Sequence, residues 1–386
     1  MRIIHTSDWH AGRVWKGIPR QPELNAVLDH LGNFAERERV DLLLVSGDVF
    51  DNATPMAEAE RSVFNFLKRM GKAGIQTVLI GGNHDSPARL EAWGTLAELV
   101  GVRVVARPNR ADRGGVVEIE ARSGEKARVA ALPFTPARAL VKALELAGDD
   151  LTAHLRYADG IARMVANLSS GFRPDAVNLM MAHTHLEGAR FAGTERSVHL
   201  GADWAAIPNT LPAKAQYVAL GHIHCPQAVE TAPAPTRYAG SPLQFDFGEA
   251  GEQKSFVFID ARPGQRAQVE LVPYEGGTPV LQIKASLREL ERHRDEFLAA
   301  GWLGVTVPLS APDPDLNRKV RKLLPNAVKV EPLLPESATP AQVASTRGLS
   351  PTDLLRAYYR TERLRDAEQD VVDAFTSLYT NEEGPA

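Results

Sequence analysis

Five short polar motifs, each standing directly after an apolar run, constrain this chain more than anything else in it. They are Asp8-Trp9-His10, Gly47-Asp48, Gly82-Asn83-His84-Asp85, His183 and Gly221-His222-Ile223-His224. The runs before them span 3–4, 42–45, 78–80, 177–181 and 218–220. Near-continuous runs of this kind suit strands buried on both faces. Between them, Leu24, Val27, Leu28, Leu31 and Phe34 recur at helical spacing, as do Met56, Ala59, Val63, Phe66, Leu67 and Met70. Strands alternating with helices predict an α/β layered fold. In such folds sites gather beyond the carboxyl ends of the strands, where distant parts of the sequence can converge.

The residue types in the motifs point to metal chemistry. Asp8 and His10 are two apart, so in extended backbone both side chains share a face, and the same holds for His222 and His224. Imidazoles, carboxylates and one amide suit borderline divalent ions such as manganese, iron or zinc. One carboxylate, with Asp48 the candidate, can bridge two ions roughly 3.5–4 Å apart, which together lower the pKa of a shared water and stabilise an in-line displacement at phosphorus. A lone Gly-Asp or Gly-Asn-His is mostly turn chemistry, with Gly47, Gly81, Gly82 and Gly221 merely ending strands. Five motifs in order, all at strand ends, argue against that bland reading.

The phrases RIIHTSDWHAG, LLLVSGDVFD, VLIGGNHDSPARL, AHTHLEGA and YVALGHIHCPQ resemble the SbcD nuclease family of the calcineurin-like metallophosphoesterase superfamily. The likeness runs from Met1 to about Gly248 and is looser beyond. It implies a two-sheet sandwich flanked by helices. It also implies one metal on Asp8, His10, Asp48 and His224, and a second on Asp48, Asn83, His183 and His222. His84 would be the catalytic acid; being adjacent to Asn83, it points to the opposite side in extended backbone. The fourth motif also offers His185. Gly188-Ala189 stand at the family's distance from His183, so His183 is taken as the ligand and His185 as a neighbour. Asp51 lies three residues after the bridging position, where protein phosphatases of the superfamily carry an Asp that orients the catalytic His and some archaeal relatives a His; it is read as a partner of His84. The family implies a DNA nuclease using two manganese ions, with magnesium, iron or zinc as alternatives. It acts as a double-strand exonuclease and a single-strand or hairpin endonuclease in DNA repair and recombination. Its partner is an SMC-type ATPase, SbcC, and a homodimer is compatible with it. The rivals are a two-metal phosphatase on a small molecule or phosphoprotein, and a non-catalytic scaffold.

Composition sets outer bounds. The 386 residues are 44% hydrophobic, enough for a large core. The lone Cys225 excludes an internal disulfide, and a reducing cytoplasm is expected, where the family resemblance implies association with the nucleoid. No apolar run approaches the ~18 residues that span a bilayer, and no signal peptide is visible. The net charge of −4 gives no basic footprint, although Arg13, Lys16, Arg20 and Arg89 stand beside the motifs as candidate phosphate contacts. No Walker loop occurs, so any dependence on ATP would come from a partner.

The expected domains are a nuclease domain over 1–275, a capping domain over 280–335, a linker over 336–351 and a partner-binding helical segment over 352–386. A hairpin is expected across 116–134 and a helix over 140–168. The capping domain reads as βαβαβ, with helices at 287–298 and 316–324. Ser350-Pro351 would start the terminal helix, whose apolar positions include Leu354, Leu355, Tyr358, Tyr359 and Leu364.

Overall fold

The apolar runs become the central strands of two six-stranded sheets. The structure, a computed structural model, describes residues 1–136, 140, 153–193, 205–335, 350–362 and 365–382. In chain order its strands are β1 (Arg2–Thr6), β2 (Val14–Trp15), β3 (Ile18–Pro19), β4 (Leu42–Val45), β5 (Gln76–Ile80), β6 (Val102–Val105), β7 (Val116–Glu120) and β8 (Lys126–Leu132). There follow β9 (Val177–His183), β10 (Tyr217–Gly221), β11 (Gln227–Ala228), β12 (Thr236–Tyr238), β13 (Ser255–Asp260), β14 (Gln268–Pro273), β15 (Val280–Lys284), β16 (Trp302–Pro308) and β17 (Ala327–Leu333). The first large sheet has the order β14-β13-β1-β4-β5-β6 and the second β11-β12-β10-β9-β8-β7. β1, β4, β5 and β6 run parallel, as do β8, β9, β10 and β12. Strands of one direction bring their carboxyl ends to one edge, which is where the five motifs stand.

Period-2 alternation sorts the apolar side chains into three layers. Ile3, Leu42, Leu44, Val78 and Ile80 lie between the sheets against Val129, Ala131, Leu179, Met181 and Ala219. Their neighbours Ile4, Leu43, Val45 and Leu79 pack with residues of the helices Gln21–Arg37 and Ala57–Lys72. On the far side Ala130, Leu132, Met180, Val218 and Leu220 pack with Tyr157, Ile161 and Val165 of the helix Ala153–Ser169. Both faces of each central strand are therefore dry, which is why the runs lack polar alternation. The first part of the helix expected over 140–168, from 141 to 152, lies outside the described residues.

The sheets do not correspond to the two halves of the sequence. β7–β12 form the second sheet as one insertion, and the chain then returns to the first sheet through β13, which pairs antiparallel with β1. The expected hairpin is β7–β8, with Val116 opposite Ala130.

By contacts the chain divides into two units, Met1–Gln282 with Asp295–Gly304, and Ile283–Arg294 with Val305–Ala386. The boundary expected near 280 thus falls inside β15, and a stretch after it belongs with the first unit. β15, β16 and β17 make a three-stranded sheet. The helix expected over 287–298 is two, Leu287–Arg292 and Arg294–Ala299, because His293 leaves helical geometry (φ −106°, ψ 25°). Ser286 and Glu289 form a capping box at its start. The terminal segment is also two helices, Pro351–Glu362 and Gln369–Glu382, in contact with each other. Ser350 caps the first by accepting from Asp353 N at 3.2 Å. The linker residues 336–349 and Leu364 lie outside the described residues. No helix among the described residues is long and apolar enough to cross a membrane.

Candidate two-metal active site

The motif side chains converge through left-handed turns rather than through strand alternation. β1 ends at Thr6 and β10 at Gly221, so the paired motif residues lie beyond the extended backbone assumed for them. Asp8, His10, Asp48 and His222 all have positive φ, at 53°, 47°, 48° and 97°. A non-glycine residue held there costs roughly 1–2 kcal/mol and persists where its surroundings over-determine it. Here the first two loops are zipped together past the strand ends. Asp8 N donates to Gly47 O (3.0 Å), His10 N to Asp48 O (3.0 Å) and Ala11 N to Val49 O (2.9 Å). The Asp8 carboxylate accepts from His222 N (3.0 and 3.2 Å) and from Ser7 Oγ (2.6 Å), joining the first motif to the fifth.

Asp85, to which the sequence reading gave no role, is the corresponding clamp between the second and third motifs. Its buried carboxylate accepts from Val49 N (3.3 Å), Phe50 N (3.0 Å) and Gly82 N (2.9 Å). Its place directly after Gly-Asn-His was the available signal. Gly82 does more than end a strand: a Cβ there would run into the Asp48 backbone and carboxylate.

The donors form three overlapping groups, Asp8–His10–His224, His10–Asp48–His84 and Asp8–Asp48–His183, each with ligand atoms within 4.8 Å of one another. Asn83 Oδ1 stands 3.0 Å from His183 Nε2 and 2.8 Å from His222 Nδ1. His183 belongs to the cluster, whereas His185 packs its ring on Phe191 at 4.8 Å.

The inward nitrogens of these rings gather round one volume. His183 Nδ1 lies 2.8 Å from the Ser46 carbonyl and must donate to it. Its Nε2 then faces inward, 3.0 Å from Asn83 Oδ1 and 3.5 Å from Asp48 Oδ2, where it can give a proton to those oxygens or, once deprotonated, ligate a metal beside them. His10 Nε2 stands 3.0 Å from His224 Nε2. The donor types fit divalent ions of the first transition row, and this is a divalent-metal site.

Burial and neighbouring charge shift the titrations of these donors. Burial, with the nearby Asp48 carboxylate, raises Asp8 to about 7. Burial pulls His183 down, but Asp48 and Asp8 more than offset it and hold it at about 9. Burial lowers His10 to about 4 and His224 well below its usual value. Burial opposes ionisation of Asp48, yet the imidazole of His183 keeps it well below the carboxylate range.

The remaining candidates separate clearly. Asp51 does meet His84, but through its main-chain carbonyl, which accepts from His84 Nδ1 at 2.7 Å. Arg20 is buried, paired with Glu23 at 2.8 Å and donating to Gln244 O at 2.9 Å, so it is no phosphate contact. Arg89 pairs with Glu60 at 2.6 Å, while Lys16 is exposed beside the Trp15 and Phe247 rings. Cys225 is buried, and burial raises its thiol to about 11, so it stays protonated.

Comparison with known proteins agrees with this geometry. The calcineurin-like phosphoesterase family model matches residues 1–226, and a model described as a type 5 capsule protein repressor C-terminal domain matches 277–363. The chain is 32% identical to the SbcD subunit of nuclease SbcCD from Bacillus subtilis, over 94% of this chain and 93% of that protein. It is 35% identical to the protein of the same name from Rhodobacter capsulatus, over 74% and 72%, and 30% identical to that of Escherichia coli K12, over 86% and 84%. Likeness at this level over most of the chain places it in the calcineurin-like phosphoesterases and, among them, in the SbcD nuclease family.

Proposed function

We propose that the chain hydrolyses DNA phosphodiester bonds at this cluster, as the nuclease subunit of an SbcCD-type complex with two manganese ions. Asp8, His10, Asp48 and His224 would hold one ion, and Asp48, Asn83, His183 and His222 the other. When bound, such a pair supplies an activated water and neutralises charge developing on the phosphate. The chain's own residues supply orientation and a proton. His84 Nδ1 donates to the Asp51 carbonyl, so the ring is fixed with Nε2 as the atom that carries the transferable proton. His84 N also donates to Asp48 Oδ1 at 2.8 Å, which ties the acid to the carboxylate that both ligand sets would share. Protonated on Nε2, His84 gives that proton to the leaving sugar oxygen.

The observation that carries this reading is the convergence of Asp8, His10, Asp48, His84, His183 and His224 into overlapping groups whose ligand atoms lie within 4.8 Å of one another. Membership of the SbcD family supports DNA as the substrate and an SMC-type ATPase as the partner, with the helices Pro351–Glu362 and Gln369–Glu382 as the docking segment. Work on the nucleoid in the cytoplasm goes with that substrate. The test is metal content and cleavage by the purified chain with manganese, on blunt duplex DNA, single-stranded DNA, a nitrophenyl phosphodiester and a nitrophenyl phosphomonoester. Two ions per chain and cleavage of DNA are expected. Hydrolysis confined to the monoester would mark a phosphatase instead. His84→Gln should keep both ions and lose ~10²–10⁴-fold in turnover.

A further inference from the structure

We propose that Asp51 is a two-ended positioning residue: its carboxylate, held by Arg13, orients the imidazole of His10, and its main-chain carbonyl orients His84. This rests on reading the cluster as the metal site. His10 is buried, and its Nε2 faces inward, 3.0 Å from His224 Nε2 and 3.7 Å from Asp48 Oδ2. On the other side of the ring, Nδ1 stands 3.3 Å from Asp51 Oδ1. The N–H direction is off the line of an aligned hydrogen bond, so this is a close polar contact, and no aligned hydrogen-bond partner reaches this nitrogen among the described residues. A neutral imidazole carries one N–H, and an ionised carboxylate only accepts. Asp51 therefore draws the N–H to Nδ1 and leaves the Nε2 lone pair facing the cluster. Carboxylates set behind ligating imidazoles in this way fix tautomer and ring orientation.

Arg13 keeps the carboxylate in place. Its Nη1 donates to the same Oδ1 at 2.9 Å, and its guanidinium lies 4.6 Å over the Phe245 ring. Phe245 in turn stands edge-on to His10 at 5.5 Å and to His224 at 5.8 Å. Arg13 is thus fastened to the wall that holds both rings. At the other end of Asp51, the carbonyl takes His84 Nδ1. Asp51 N donates to Ala11 O at 3.1 Å, which anchors that peptide to the first loop. The His10 and His84 rings end up perpendicular, with centroids 4.6 Å apart.

The two ends differ in what a substitution can remove. A side-chain change at Asp51 deletes the hold on His10 and spares the carbonyl that holds His84. The side chain should therefore govern metal affinity and not the acid.

The experiment uses the full-length chain and manganese alone as probe. Manganese affinity is measured by calorimetry, and diester turnover is measured as a function of manganese up to saturation. Asp51→Asn should weaken one of the two manganese sites by about 10–100-fold, the usual cost of losing such a partner, and the manganese concentration that half-saturates turnover should rise with it. Arg13→Gln should move affinity in the same direction by less. With cobalt in place of manganese, the visible spectrum should change in Asp51→Asn and not in His84→Gln. Unchanged manganese affinity with turnover lost at saturation would overturn the proposal, because the carboxylate would then act on His84. If thermal unfolding in chelator shows that Asp51→Asn does not fold, the Arg13→Gln affinity decides by the same criterion. A parent chain that binds no manganese would instead sink the metal reading itself, and so the two failures are distinguishable.

Discussion

Single residues in the site are held by donor and acceptor identity as much as by shape, and that makes conservative changes harmful. His224→Ala should remove about one metal per chain and abolish activity, since one ion of the proposed pair would lose part of a small ligand set; elemental analysis after dialysis checks it. Asp85→Asn should be nearly as damaging to folding as alanine. Both Asp85 oxygens accept backbone N–H groups, and an amide would turn one of them into a donor facing a donor. A loss of about 3 kcal/mol is expected in urea unfolding with chelator present, the scale of leaving buried amides without an acceptor. The metal-free site should also bind manganese with proton release. His183, at about 9, keeps its proton at pH 7.5, and Asp8, at about 7, keeps a fraction of its own. Both groups are raised above their unfolded values. Their contribution to metal-free stability is therefore present below the unfolded pKa and is lost as pH rises, to about 7 for Asp8 and about 9 for His183. Manganese affinity should rise across pH 6–9, and calorimetry in buffers of different ionisation enthalpy should show the released protons; pH-independent affinity would contradict it. The motif residues were legible in the sequence because their types and order are specific. Their geometry was not, because a left-handed turn at Asp8, His10 or Asp48 is invisible to reasoning from strand period.

At the scale of elements, the apolar runs carried most of the information. β1, β4, β5, β9 and β10 lie where near-continuous apolar runs predicted strands, since burial on both faces is what such runs permit. Their assignment to sheets was not legible. Which strand pairs with β1 depends on contacts far apart in sequence, and the register that sets Arg2 opposite Asp260 is what returns β13 to the first sheet. The break at His293 was hidden for a different reason. The apolar positions on either side keep helical spacing, while the interruption is a single residue's backbone conformation. The inter-sheet layer also links packing to the site, because β4 delivers Asp48 and β9 delivers His183. Leu44 is fully buried in that layer. Leu44→Ala should cost about 2–5 kcal/mol as a cavity opens between the sheets. Chemical unfolding measures that loss. Metal content in the folded fraction should stay unchanged, since Leu44 is not among the donors of the cluster.

For the molecule as a whole, the open question at the sequence level was what the terminal helix is for, and its surface now sharpens the answer. The expected apolar stripe included Leu355 and Tyr359, but these are half-buried, while Leu354 and Tyr358 are 39% and 48% exposed. The pair sits four residues apart on one face, the spacing of anchors that enter a groove on a partner helix or coiled coil. The chain's relatives are named as one subunit of the SbcCD nuclease, which supplies a candidate for that groove. Replacing Leu354 and Tyr358 with Asp in the full-length chain should leave the fold and both metals intact, because neither side chain is buried. It should put unpaired charge into the proposed docking interface, where burial is costly. Co-purification with the proposed SMC-type ATPase partner should then fall by at least tenfold, a loss of about 1.4 kcal/mol. Manganese-dependent cleavage of single-stranded DNA by the isolated chain should stay at the parental rate. Undiminished co-purification would show that the partner binds elsewhere. A fall in the basal cleavage would show that these helices serve the chain's own unit rather than a second protein.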